Sequence, residues 1–316
     1  MIRRLTLETT EAQRGMRLDT LLAESLPPAL GRPLSKAKLR RLIMAGAVRI
    51  GGRAFRRPGY PLRPGARVEA AVQLDRLEDE TRRDVAFTLA ATEILYEDEA
   101  LIAVNKPPGL PTPPTVDPAR PHLLGIVQRY LEQRGRRRAY VGLHQRLDRD
   151  TSGVVLFTKE RAANAGLADL FARREVVKTY HALTRRPVLL PPRSWRAVSR
   201  LGVRGRGGGK RMASLGSGGA LAETDFTLLE AFLRGVLVEA HPRTGRKHQV
   251  RVHLAEAGLP ILGDELYGGG AGVPRPMLHA RSLAFHHPRT GAEIVIRSPY
   301  PDDFRRALRA LRGHRG

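Results

Sequence analysis

HQRLDRDTSGVVLFTK, residues 144–159, is a polar turn running into an apolar strand. Asp150, Thr151, Ser152 and Gly153 carry turn chemistry, and Val154 to Phe157 supply a strand meant for burial. Asp148 stands just before the turn, flanked by Arg146 and Arg149. Neighbouring cations favour the ionised carboxylate, which suits Asp148 to be a nucleophile or charge stabiliser rather than a proton donor. Taken alone, the segment reads equally well as an Asp that merely caps turn amides.

Moving outward, further strand-like runs fall at Leu101–Val104, Val176–Thr184, Phe226–Glu230, Val236–Ala240 and Glu293–Ile296, separated by helical patterns and Gly or Pro loops. That alternation predicts an α+β domain built on a central sheet. In HPRTGRKHQVRVHLAEAGLPILGDELYG, residues 241–268, Thr244 is the expected cap of a helix carrying Val250, Leu254 and Ala257 and ending at Gly258. With Arg246, Lys247 and Arg251 at its start, that helix end would suit a phosphate or carboxylate. Residues 202–219, GVRGRGGGKRMASLGSGG, read as a flexible basic surface loop.

The 316 residues suit about two domains at roughly 150 residues each. With 55 Lys and Arg against 31 Asp and Glu, the formal charge is +24, which points to a polyanionic partner, nucleic acid first. A hydrophobic content of 41% is enough for packed domains and argues against wholesale disorder. Between Ser25 and Val68 there are eleven Lys or Arg and no acid, while apolar residues keep a regular spacing. Ser35 is a plausible N-cap, Leu39, Leu42 and Ile43 follow at helical spacing, and Gly46 suits the C′ position, so a basic amphipathic helix is expected over 36–45. An earlier helix carries Leu18, Leu21 and Leu22, and short strands are expected over 47–50 and 65–70. Residues 75–84, DRLEDETRRD, are almost entirely charged and mark a linker.

Other chemistries lack their parts. With no Cys there are no disulfides, thiolate metal sites or cysteine nucleophiles. The phosphate-binding loop pattern fails at Arg204 and Arg211 around Gly209 and Lys210, and neither His-Glu-x-x-His nor Gly-x-Ser-x-Gly occurs. His248 and His253 are spaced by five and read as surface or packing residues. An aspartic protease fits poorly because Asp150-Thr151-Ser152-Gly153 has one residue too many, and an aspartyl-phosphate phosphatase fits poorly because Ser152 stands where Thr or Val belongs. No run approaches the apolar length of a membrane span, and the cytoplasm is the expected compartment.

Three segments in order carry a resemblance: VNKPPGLPTP at residues 104–113, Arg146 to Gly153, and TGRKHQVRVHL from Thr244. With KTYHAL at 178–183 and LHARSLAFHHP at 278–288, the chain resembles the RluA family of RNA pseudouridine synthases over most of residues 90–300. Residues from MRLDTLLAESLP to LRPGARVEA resemble the small α/β RNA-binding domain, or alpha-L motif, of a ribosomal small-subunit protein, with Gly51 where an Asn is usual. The resemblance implies an RNA-binding domain over 1–74, a linker over 75–88 and a catalytic domain over 89–316 with a mixed, largely antiparallel sheet.

From the family, Asp148 inherits the part of the essential aspartate, Tyr180 that of the tyrosine beside the target base, and Arg251 that of the cation pairing with the aspartate. Gln145 stands between His144 and Arg146 where the family runs His-Arg-Leu-Asp, so no role passes to His144. RNA contacts are expected at Lys36, Lys38, Arg40, Arg41 and Arg53 in the first domain, and at Arg146, Arg149, Arg246 and Lys247 in the second. The implied reaction isomerises uridine with no net gain of atoms or electrons, so neither cofactor nor metal is expected. The partner is structured RNA, ribosomal first and transfer RNA second, and the enzyme is expected to act as a monomer. A non-catalytic RNA-binding or ribosome-assembly protein on the same scaffold is the alternative.

Overall fold

The computed structural model describes residues 2–31, 34, 36–44, 46–73, 87–115, 120–135, 138–205, 211–270 and 272–313. The expected cap Ser35, most of the expected linker at 75–88 and residues 206–210 of the glycine-rich stretch lie outside the described residues. The chain divides into two units, Met1–Asp84 with Pro114–Pro121, and Val85–Pro113 with His122–Gly316.

The first unit holds β1 (Ile2–Glu8), α1 (Leu18–Leu30), α2 (Lys36–Met44), β2 (Val48–Ile50), β3 (Arg53–Ala54) and β4 (Arg67–Gln73). Its strands form an antiparallel sheet in the order β1-β4-β2-β3. The helical spacing of Leu18, Leu21, Leu22, Leu39 and Ile43 puts all five on buried faces, packed in one core with Val48, Val68 and Val72. After α2, Gly46 adopts φ +76°, and the amides of Gly46 and Ala47 bond back to the Ile43 and Leu42 carbonyls, closing the helix as its sequence predicts. Strand β1 is not legible in the sequence, because among its charged residues only Leu5 and Leu7 alternate towards the core.

In the second unit the elements run β5 (Ile94–Glu97), β6 (Leu101–Lys106), α3 (Leu123–Gln133), β7 (Gly142–Leu143), β8 (Ser152–Thr158), α4 (Arg161–Ala172) and β9 (Val177–Arg185). They continue with β10 (Ser194–Arg204), β11 (Arg211–Ser214), β12 (Ala220–Ala231), β13 (Gly235–Pro242), α5 (Gln249–Glu256), β14 (Leu278–His286), β15 (Glu293–Arg297) and α6 (Asp302–Arg312). Among the described residues, eleven strands make one sheet in the order β11-β10-β12-β13-β9-β14-β8-β6-β5, with β15 on β14 and β7 on β8. Among the described pairings only β8 with β14 is parallel, so the sheet is mixed and largely antiparallel, and the fold is α+β.

Strand β8 is buried at every position, as its continuous apolar run requires. It meets β14 at Gly153, where φ is +121° and an added Cβ would lie 2.2 Å from the Ala280 carbonyl oxygen; only glycine fits this crossing. Two sequence expectations are corrected here. Instead of a loop, residues 202–204 and 211–214 belong to the β10–β11 hairpin, paired from Leu201↔Ser214 to Arg204↔Arg211. Its glycine-rich composition hides the register, which Met212 fixes by packing with Leu201, Ala222, Val252 and Tyr267. Nor does Thr244 cap the helix: α5 begins only at Gln249, and the buried Thr244 hydroxyl instead donates to the Gln249 side-chain oxygen at 2.6 Å.

Candidate active site

Asp148 lies in the loop between β7 and β8, and that loop is held from three sides. Lys106, fully buried at the end of β6, donates to the carbonyl oxygens of Pro107, Leu110 and Arg149 at 2.8–2.9 Å. Burial pushes this ammonium down to about 7, with Asp150 partly offsetting. The Thr112 hydroxyl donates to the Leu147 carbonyl and accepts from the Leu147 amide. Arg275 donates to the Asp150 carbonyl and to Ser152 Oγ while clamping Asp303 through two hydrogen bonds of 2.7 and 2.9 Å. Ser152 is in turn bonded to Nδ1 of the fully buried His279, directly beside it in the β8–β14 pairing. The segments at 104–113 and 278–288 therefore act as a frame for the loop bearing Asp148.

The Asp148 carboxylate, 23% exposed, opens into a cleft of about 540 Å³. Arg251 on α5 donates from Nη1 to Asp148 Oδ2 at 3.1 Å. The same guanidinium donates through Nε and Nη2 to both oxygens of Asp264 at 2.7 and 2.8 Å, and it lies over the Tyr267 ring, 5.1 Å from the centroid. Asp264, 1% exposed, is set by the turn at Gly263, where φ is +77° and a Cβ would meet the Arg275 carbonyl at 2.1 Å. Burial of Arg251 opposes its charge, but the hydrogen bonds and field of Asp264, joined by Asp148, outweigh it and raise its proton affinity above the ordinary value.

Tyr180 on β9 lines the same cleft. Burial, then the Asp148 charge, pushes its phenol well above the usual range, so it is a neutral hydroxyl at physiological pH. His248, in the left-handed conformation at φ 56°, brings Nε2 to 3.8 Å from Asp148 Oδ2 and Nδ1 to 2.8 Å from the Tyr267 hydroxyl. Burial lowers its pKa to about 4, leaving a neutral imidazole above that pH. This corrects the reading of His248 as a surface or packing residue. His253 does pack, bonded to Ser199 and Thr224.

Of the cations expected to meet RNA, Arg146, Arg246 and Lys247 line the cleft. Arg149 does not; its guanidinium turns back onto Asp150 at 3.0 Å. Lys36, Lys38, Arg40 and Arg41 lie on α2 and Arg53 on β3; Arg40 is exposed and 3.4 Å from Asp19, and Arg53 is exposed. Asp264, Tyr267, Lys178, Arg174 and Arg243 escaped the sequence reading. Lys178 opens the quoted KTYHAL segment, and Arg243, Asp264 and Tyr267 fall inside the 241–268 segment, but nothing in those segments singled them out; Arg174 lies outside both and reaches the cleft through its loop path. Among the described residues, no group of three or more His, Asp or Glu is arranged to hold a metal ion.

An Asp hydrogen-bonded to an Arg, in a cation-rimmed cleft shared with a neutral Tyr, defines a site for chemistry on a polyanionic substrate. Residues 100–256 match the RNA pseudouridylate synthase family, and residues 16–68 match the S4 domain. The chain belongs to the RluA-type RNA pseudouridine synthases and is an enzyme that isomerises uridine in RNA. Among its relatives, it is 32% identical over 99% of its length to the ribosomal large subunit pseudouridine synthase C of Yersinia pestis, 96% of which is covered. The Escherichia coli (strain K12) protein of the same name is 31% identical over 97% of this chain and 96% of its own. The solved structure of human RNA pseudouridylate synthase domain containing 4 superposes with a TM-score of 0.58 at 25% identity, covering 75% of this chain and 98% of that one.

Proposed function

We propose that this enzyme converts uridine to pseudouridine in large-subunit ribosomal RNA, with Asp148, Tyr180 and Arg251 as its working residues. What supports this is the hydrogen bond between Asp148 and Arg251 in a cleft shared with Tyr180, together with relatives named for the large ribosomal subunit. Those names favour ribosomal over transfer RNA, and the filled aspartate, tyrosine and arginine positions argue against a non-catalytic scaffold. The S4 unit grips structured RNA through the cations on α2 and β3 and raises the local concentration of substrate. We take the enzyme to act as a monomer, and the ribosomal relatives suggest action in the cytoplasm. No helix among the described residues is long and apolar enough to cross a membrane.

In the reaction the bond from C1′ to N1 breaks, a bond from C1′ to C5 forms, C5 loses its proton and N1 gains one. The uridine must first leave its helix, at a cost of about a few kcal/mol that phosphate contacts offset. Arg251 holds the Asp148 carboxyl group through its Nη1 hydrogen bond, and Asp148 either attacks the sugar or stabilises the charge of glycosidic cleavage. Tyr180, protonated and beside it, stacks on the base and moves a proton.

Replacing Asp148 by Asn should abolish release of tritium from C5 of labelled uridine while leaving RNA affinity nearly intact. Substantial turnover by D148N would defeat the assignment. Mapping pseudouridines in ribosomal and transfer RNA from cells with and without the protein identifies the target, and a missing modification confined to transfer RNA would overturn the ribosomal reading.

A further inference from the structure

Lys178 lies two residues before Tyr180 on β9, so the two side chains share a sheet face about 6.6 Å apart along the strand, and both line the cleft. It is half-buried, and its Nζ donates to the Thr244 carbonyl oxygen at 3.3 Å. Of the other cations lining the cleft, Arg243 pairs with Asp225 at 2.5 Å, Arg174 with Glu223 at 3.7 Å, Arg246 with the Leu221 carbonyl and Arg251 with Asp148 and Asp264, while Arg146 and Lys247 are exposed to solvent and so, unlike Lys178, are not desolvated. Among the described residues no carboxylate lies within ion-pair distance of Lys178, and Asp148, the single acid lining the cleft, is taken by Arg251. Burial, with Arg174 nearby, lowers the ammonium to about 8, so it is still mostly charged at neutral pH.

A partly desolvated cation without a counter-charge is costly, and the cost falls when an anion enters beside it. The substrate carries one such anion on each side of every base. A base stacked on Tyr180 with its sugar at Asp148 leaves its own phosphodiester within reach of the same strand face, one pleat repeat away. We propose that Lys178 binds the phosphodiester on one side of the target uridine, setting the depth to which the nucleotide enters. This rests on the functional reading above and adds a subsite to it.

The test uses the full chain and a short RNA around the uridine identified by mapping, synthesised with one uncharged methylphosphonate linkage either 5′ or 3′ of that uridine. With the wild-type chain, one of the two linkages should lower kcat/KM about tenfold to a hundredfold, mainly through KM, as when a charge-assisted hydrogen bond is removed. In K178M the same linkage should cost less than about threefold, because the two changes remove one interaction, and K178R should restore part of the penalty. No penalty at either linkage with the wild-type chain overturns the proposal, whether or not the variants fold, and so do equal penalties in wild type and K178M. If the wild-type chain leaves the unmodified RNA unchanged, the functional reading itself fails, and this shows before any variant is made.

Discussion

Arg251 is shared between two carboxylates of unequal standing. Asp264 is almost fully buried and takes two of its hydrogen bonds, whereas Asp148 faces the cleft and takes one. A guanidinium so fixed keeps its place when the charge on Asp148 is consumed or screened during the reaction, because its position is set by Asp264. Exchange of Asp264 for Asn should therefore lower kcat about tenfold to a hundredfold, since a small displacement of an aligned group is enough for that loss. KM for RNA should change less than about threefold, because the cations at the cleft mouth are untouched, and D264E should recover part of kcat. Steady-state kinetics with a circular dichroism check on folding decide it; an intact kcat in D264N would remove Asp264 from this part. The presence of Asp148 and Arg251 was legible in their motifs, but Asp264 was not, because a buried aspartate and a turn aspartate look alike in sequence.

Among the elements, α2 illustrates how pattern and charge serve different ends. Its apolar spacing turns Leu39 and Ile43 into the core, which leaves Arg40 exposed and Lys38 only partly covered. Replacing Lys38 and Arg40 together by Ala should weaken RNA binding several-fold at low salt. It should also flatten the slope of log affinity against log salt by about 0.7–0.9 for each phosphate that is no longer neutralised. Filter binding across a salt series measures both, and an unchanged slope would take α2 out of the interface. The β10–β11 hairpin makes the opposite point: its composition suggests a loop, yet Glu256 on α5 accepts from the Ser214 amide and hydroxyl and Met212 packs on Val252. Partners 40 or more residues away decide its conformation.

Across the whole molecule, the frame around the catalytic loop carries a pH signature. His279 is fully buried, accepts from Ser152 at Nδ1 and donates from Nε2 to the Ser298 carbonyl, so the fold holds one neutral tautomer. Burial lowers its pKa from 6.5 to about 3, and that of His248 to about 4. Below pH 6.5 the unfolded chain takes up protons that the folded chain refuses, so stability is full above that pH and falls as the pH drops towards 4. For His279 alone the loss by pH 4 is on the order of 3 kcal/mol. Urea midpoints between pH 7 and 4 should fall accordingly, and H279Q, although less stable at pH 7, should show a shallower fall. Parallel slopes in the two proteins would contradict this.

By itself the sequence determined the class of protein, the α+β architecture, the two leucine-faced helices of the first unit and the presence of an Asp, a Tyr and an Arg in three separate motifs. These are local properties: turn residues, apolar periodicity and short motifs are read within about a dozen positions. The resemblance implied that Arg251 pairs with Asp148, 103 residues away; only the tertiary structure decided that Asp264 and Tyr267 hold that guanidinium in place and that Lys178 lines the cleft alongside Tyr180. The reason is that the order of strands in the sheet, and the loops that cross its edge, bring distant residues together through packing and register, which no local pattern encodes.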